Sequence, residues 1–403
     1  MRTARRLGSA LWPHAALLFC LAAPAPASPT GGPALAGSAS PTAAQDQRPD
    51  TLMVRDARGG TSMLSGRILS ASLREVVIEI EGKQRSVASD RVLRLTLGGV
   101  PAGYEEGQRL LQSGDYANAV SSFRLVAADG GASKVVQAAA GALALEAGLR
   151  LAGRGEGDFA ALAVDAARFI SGQSDSRELP AIRALEARAL WLSNQAGEAG
   201  KRYEALFAEL QGSTPNPGYD LVECLRAGWL GSLAKLDAGD VAGARKLSKA
   251  LESALPAALA ELAADDPRRG RLASLAEGAS QLEGFALLAD KKASQAKTFF
   301  KAAVDGAKPA ELLLRTVALV GLGESHAAQG EWREARLAFA RAFATGVEQP
   351  EFLGRALVGQ AQCALELAET NSKEQARRWL DSLGRSYGTT PAARRGLDLA
   401  KRL

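Results

Sequence analysis

A spacing constrains this chain more than any other feature. Gly323, Gly330, Trp332, Ala335, Phe339 and Ala342 sit at offsets 0, 7, 9, 12, 16 and 19. The same offsets recur far upstream as Gly107, Gly114, Tyr116, Ala119, Phe123 and Val126. Small and large side chains in that order, at a period in the thirties, predict stacked antiparallel helix pairs. The small residue at offset 0 admits the second helix. Glycine at offset 7 takes the backbone angle that ends the first helix. Acidic residues follow, as in Gly114-Asp115 and Gly330-Glu331, and favour the start of a second helix through its dipole. Alanine at offset 12 and the aromatic at offset 16 share one face.

Weaker copies keep the offsets. Gly284, Ala293, Ala296, Phe300 and Ala303 fit, with Lys291 in place of the turn glycine. Ala187, Asn194, Ala196, Ala199, Tyr203 and Leu206 also fit, and asparagine is the next best helix stop. Ser232, Gly239, Val241, Ala244, Ser248 and Leu251 keep the small positions but lose the aromatic. A further hairpin is expected at about 135–173 from helical periodicity alone. A last pair, ALVGQAQCALELAE followed by KEQARRWLDSLGRSYG, reads as a closing unit. That makes about seven pairs, a mainly α chain. Over roughly residues 100 to 390 the pattern resembles the tetratricopeptide repeat (TPR) family.

The resemblance implies an α-solenoid that binds other proteins, with the first helix of each pair lining a concave groove. Tyr104, Gln108, Arg188, Trp191, Arg226, Trp229, Gln281 and Glu324 are then placed toward that groove as partner contacts. Tryptophan and arginine are typical interface anchors. The competing expectation is that Trp191 and Trp229 plug gaps between repeats, since Ser248 replaces the aromatic in the repeat that carries Trp229. The partner is expected to be a peptide or helix of another protein. A self-assembling protein would instead show an uncapped apolar face at Leu380, Leu383 and Tyr387.

The first hundred residues differ. Arg2, Arg5 and Arg6 precede the apolar run LWPHAALLFCLAA and then small residues, the order of a secretory signal over 1–27. Residue usage suggests a bacterium, hence a periplasmic or secreted protein of the envelope. Residues 28–50 are rich in Pro, Ala, Ser, Gly and Thr and predict a flexible linker. Residues 51–98 carry β-type runs. Val76, Ile78 and Ile80 alternate with polar neighbours, and Gly82-Lys83 sits where a hairpin turn would. A small SH3-like or Sm-like barrel is expected there. About fifty residues make a marginal core, so the module should pack on the first repeat.

Composition narrows the function. Hydrophobic residues make up 47% but aromatics only 5%, which suits helix-on-helix packing through small side chains. Net charge is +5, and removing the three arginines of the signal leaves about +2, which argues against a nucleic-acid binder. The local excess is Arg377, Arg378, Arg385, Arg394, Arg395, Lys401 and Arg402, with residues 391–403 a basic helix end. A solvated face explains it, and weak contact with an anionic surface is the sharper alternative. After the signal, no stretch is expected to span a membrane. His326 is the one histidine beyond residue 14, and Cys224 and Cys363 fall on distant repeats. No Cys/His cluster has metal spacing, and Gly153–Gly157 lacks the Lys-Ser/Thr of a phosphate loop. The Asp265-Asp266 pair beside Pro267 suits helix capping. Neither cofactor, metal nor catalytic residue is expected.

Overall fold

The structure is a computed structural model, and it describes residues 48–55, 60–264, 266–308, 311–345 and 349–403. The signal at 1–27, most of the linker at 28–50, and Asp265 lie outside the described residues.

Five strands come first: β1 (Asp50–Arg55), β2 (Thr61–Ala71), β3 (Glu75–Ile80), β4 (Lys83–Ala88) and β5 (Val92–Thr96). They form one antiparallel sheet in the order β4-β3-β2-β1-β5. The alternating residues behave as the pattern requires. Val76 and Ile78 are fully buried with Leu52, Val54, Ile68, Val87 and Val92. The hairpin turn is Glu81-Gly82, one residue earlier than expected, with φ of 52° and 75°. Two successive positive φ values match the right-handed twist of the flanking strands. No ladder joins β4 to β5 among the described residues, so hydrogen bonding does not close the sheet into a barrel. Asp50 pins the module: its carboxylate accepts from the backbone N–H of Ile68 and of Gly98, each at 2.6 Å.

Among the described residues, fourteen helices follow as seven antiparallel pairs. The first four pairs are α1 (Ala102–Ser113) with α2 (Tyr116–Ala128), α3 (Lys134–Gly153) with α4 (Phe159–Gly172), α5 (Leu179–Leu192) with α6 (Ala196–Phe207), and α7 (Leu221–Asp237) with α8 (Val241–Glu261). A two-strand clip, β6 (Leu210–Gln211) and β7 (Thr214–Pro215), sits between α6 and α7. The last three pairs are α9 (Arg268–Ala289) with α10 (Ala293–Gly306), α11 (Leu312–Ala327) with α12 (Trp332–Ala344), and α13 (Pro350–Leu367) with α14 (Ser372–Tyr387). A final helix, α15 (Pro391–Ala400), covers the end.

The repeat offsets translate directly into contacts. A Cβ placed on Gly107, Gly284 or Gly323 would lie 2.7 Å from the ring of Phe123, Phe300 or Phe339 respectively. Each aromatic at offset 16 therefore fills the slot that its own offset-0 glycine leaves. Phe300 and Phe339 are also clamped from the next pair, where Gly321 and Gly359 approach them so closely that a Cβ would sit at 2.3 Å. The turn position behaves as predicted, with positive φ at Gly114 (82°), Gly239 (82°) and Gly330 (74°). Asn194 (65°) and Lys291 (63°) adopt the same conformation at a cost glycine avoids. Where Ser248 replaces the aromatic, a small pocket opens among Ser232, Leu236, Ala244 and Leu282.

The β module reaches further than the first repeat. Leu97 joins the core of the first pair, and Val135 of α3 packs on the sheet. The Leu73 N–H donates to Asp175 O at 2.8 Å. Arg177, in the α4–α5 turn, donates to Ser89 O at 3.1 Å and Val92 O at 2.9 Å. Gly218 presses on the Leu73 carbonyl, and Arg55 approaches Asp266 at 3.8 Å. The module thus lies along the edge formed by the starts of α3, α5, α7 and α9.

Helix α3 is long and apolar enough to cross a membrane by length and composition, which the expectation of no spanning stretch had passed over. In this fold it packs between α2 and α4, with Ala140 and Ala147 fully buried.

Candidate functional site

The site expected from sequence was an open groove lined by the first helix of each pair. The inner helices of the third to seventh pairs instead meet one another. Trp191 of α5 donates its indole N–H to Asp237 Oδ2 of α7 at 2.9 Å. Trp229 of α7 donates to Gly278 O of α9 at 3.0 Å. Gln281 of α9 donates to Leu314 O of α11 at 3.3 Å. Glu324 of α11 accepts twice from Arg355 of α13, at 2.8 and 2.5 Å. Arg188 of α5 closes the circuit, donating to Glu351 at 3.1 Å and to the Gln349 side chain at 2.8 Å. Five inner helices form a closed ring, and its last member touches its first across 163 positions of sequence.

Five of the eight expected partner contacts are therefore links of this ring. Trp191 is 1% exposed, and Trp229 and Gln281 are each 2% exposed. Packing accounts for the tryptophans, as the competing expectation had it, and the placement of these side chains as exposed anchors is corrected. The physical reason is curvature: the inner helices converge until their facing side chains bond one another. Tyr104 is buried too, its ring edge-on to Phe123 at 5.8 Å, and burial followed by Glu178 pushes its hydroxyl up to about 12. Arg226 is half-buried and lies 3.7 Å from Glu223. Gln108 alone of the eight is exposed.

Sequence reasoning missed Asp237, Gln349, Glu351 and Arg355. Arg355 is the hub. Its guanidinium lies over the Phe285 ring at 4.8 Å and 3.7 Å from Asp237, besides its pair with Glu324. Burial alone would lower the pKa of Arg355, but the charges of Glu324 and Asp237 outweigh it and raise it. Glu324 mirrors this: burial pushes its carboxyl up, and the charge and hydrogen bonds of Arg355 bring it below the ordinary value. Arg188 is raised in the same way by Glu351. Buried charges of this kind persist only when paired. The signal was present: α13 carries a glutamate and an arginine one turn apart in a helix buried along most of its length.

The remaining chemistry-bearing residues have structural settings. The His326 ring bonds the Glu331 carboxylate, which also takes Lys297 at 2.7 Å. Cys224 and Cys363 are buried free thiols, each pushed up to about 12 chiefly by burial. Asp266 accepts from the Arg268 backbone N–H at 2.8 Å, a cap at the start of α9. Gly155, in the expected turn, approaches the Arg385 carbonyl of α14 so closely that a Cβ would sit at 1.9 Å. The end face is covered, because α15 packs on Leu380, Leu383 and Tyr387. In the basic tail, Arg395 faces Glu324 at 3.9 Å, and Arg402, Lys401 and Arg378 pair with Glu366, Asp398 and Glu374. Among the described residues no group of three or more His, Cys, Asp and Glu gathers to hold a metal.

No family model matches the chain, and no curated protein matches it. Several solved structures are similar, and three of them cover 74% of the chain. A tetratricopeptide repeat protein from Parabacteroides merdae is 13% identical, is covered over its whole length and has a TM-score of 0.45. A Rap protein complexed with competence and sporulation factor is 12% identical, 86% covered, with a TM-score of 0.45. The P58(IPK) TPR domain is 14% identical, 96% covered, with a TM-score of 0.28. The packing of the pairs themselves decides the class, through the glycine slots, the aromatics that fill them and the positive-φ turns. The solenoid is TPR-like.

Proposed function

We propose that this chain is a non-catalytic scaffold for protein–protein contacts in the bacterial envelope, engaging a helix or peptide of another protein on the inner face of its solenoid. The observation that supports it is the ring itself. On the inner helices Arg188, Trp191, Trp229 and Glu324 each hold a neighbouring helix. Helix recognition is what such a surface does well. The signal-like first 27 residues support the envelope assignment. Self-assembly through the C-terminal end is the weaker alternative, because α15 covers Leu383 to 2% exposure.

The test is cell fractionation of the tagged full-length chain in a bacterial host, followed by cross-linking in the envelope fraction. The expected outcome is export and a discrete cross-linked partner that an Arg188→Glu variant no longer captures. Retention in the cytoplasm, or capture of the same partner by both forms, would count against this reading.

A further inference from the structure

Consecutive pairs and the closing contact are built from different material. Between consecutive pairs an apolar layer backs the polar links of the ring: Phe300 sits between Gly284 and Gly321, and Phe339 between Gly323 and Gly359, beside bonds such as Glu324–Arg355. Such layers are dry and close-packed, and they come apart only with the fold. The seam between α5–α7 and α13–α15 is rich in charge. Asp237, Glu351, Arg355, Thr390 and Arg395 line a small cavity there with Trp191, Leu192, Pro391 and Ala392, and Arg188 bonds Glu351 and Gln349. Buried ion pairs hold a geometry while adding little net stability, because desolvation offsets their attraction. A seam of this composition separates more readily than its neighbours.

The seam also specifies what it recognises. On one side stand a guanidinium (Arg188), an indole edge (Trp191) and a carboxylate (Asp237). On the other stand Glu351 and Arg355, four residues apart and so on one face of α13. The acid of the helix bonds the base of the surface, and the base of the helix, hydrogen-bonded to Glu324, lies 3.7 Å from the acid of the surface.

We propose that Arg188, Trp191 and Asp237 form a docking surface for a partner helix that presents an acidic side chain and, one turn later, a basic one, and that the chain's own α13 occupies this surface until such a helix displaces it. This rests on the scaffold reading above and names its site, its partner chemistry and its regulation. Opening swings α13–α15 away from α5 and α7 while the apolar joints of the other pairs stay intact.

The experiment uses the full chain and a labelled synthetic peptide with the sequence of residues 349–360, QPEFLGRALVGQ. Glu351→Arg sets α13 against Arg188 and leaves the docking surface unchanged. Hydrogen exchange should rise in segments 186–192 and 349–358 and stay unchanged in α1–α4. The peptide should bind this variant about tenfold more tightly than it binds the parent. The Arg188→Glu/Glu351→Arg double variant restores the pair, so both effects should revert. Exchange that rises throughout the solenoid, or a peptide that binds parent and variant alike or neither, would overturn the proposal. Should Glu351→Arg fail to fold, Glu351→Gln with the same two measurements decides. Peptide binding without any cross-linked partner in cells would sink the scaffold reading and leave the docking surface standing.

Discussion

The glycine slots make a prediction whose sign is opposite at two glycines of the same helix pair. Gly359 lies inside α13, and a Cβ there would meet three atoms of the Phe339 ring at 2.3, 2.4 and 2.5 Å. Ordinary contact is above about 3.4 Å, so the ring must move by about 1 Å. It has nowhere to go: Phe339 is 1% exposed and held from the other side by Gly323. Overpacking of this kind costs about 1–3 kcal/mol, and three atoms in collision place it near the upper end. Replacing a helical glycine by alanine returns up to about 1 kcal/mol. Gly359→Ala should therefore destabilise by about 2 kcal/mol. Gly384 of α14 has nothing within 4 Å of its Cβ position, so Gly384→Ala should stabilise by about 0.5–1 kcal/mol. With unfolding entropy near 2.1 cal/mol/K per residue, the two variants should melt about 3–5 °C apart in differential scanning calorimetry, Gly384→Ala the higher. Phe339→Leu should cost less in the Gly359→Ala background than alone, because the leucine relieves the collision. A Gly359→Ala protein that melts at or above Gly384→Ala would refute the slot argument, and independent costs for the two substitutions would refute the pairing.

Two further outcomes follow from other parts of the fold. Lys291 holds φ of 63° at a helix end where the corresponding turns use Gly114, Gly239 and Gly330, so Lys291→Gly should stabilise by about 1 kcal/mol in urea unfolding, and a loss of stability would show that its side chain matters more than its backbone. The Glu324 carboxyl lies below its unfolded value of about 4.3, so its contribution is present above that pH and is lost as pH falls through the lower, folded value. Glu178 is raised by burial and pulls the other way, so the parent must be compared with Glu324→Gln. Their stability difference should be about 3 kcal/mol at pH 7 and shrink as pH falls toward 2, and a constant difference would mean that the ion pair with Arg355 does not carry it.

What the sequence made legible was everything with a fixed offset. Gly323 and Phe339 are sixteen positions apart, and their contact repeats at Gly107 and Gly284 because each pair solves the same packing problem with the same residues. The alternation of Val76 and Ile78 exposed the sheet for the same reason: period and burial are one fact. Ring closure has no such offset. It joins Arg188 to Glu351 across 163 positions, and its existence depends on small rotations between successive pairs that accumulate around the solenoid. The same holds for Arg177, a turn residue that holds Ser89 and Val92 of the β module, for which no local pattern announces a partner.

One signal did bear on closure. A helix that lines an open groove keeps a polar stripe toward solvent, whereas α7, α11 and α13 carry buried residues on almost every side. Such helices need neighbours all round, and in a solenoid the side not covered by the adjacent pairs faces the axis. The axis must then be filled, and the only helices available to fill it are the other inner ones. Reasoned that way, Trp191 and Arg188 cannot stand free. A tryptophan on an all-buried helix seeks an acceptor for its indole N–H, and an arginine seeks a carboxylate that is itself buried. Asp237 and Glu351 meet those two demands. Arg188, Trp191, Trp229, Gln281 and Glu324 thus each hold a helix of the chain's own ring.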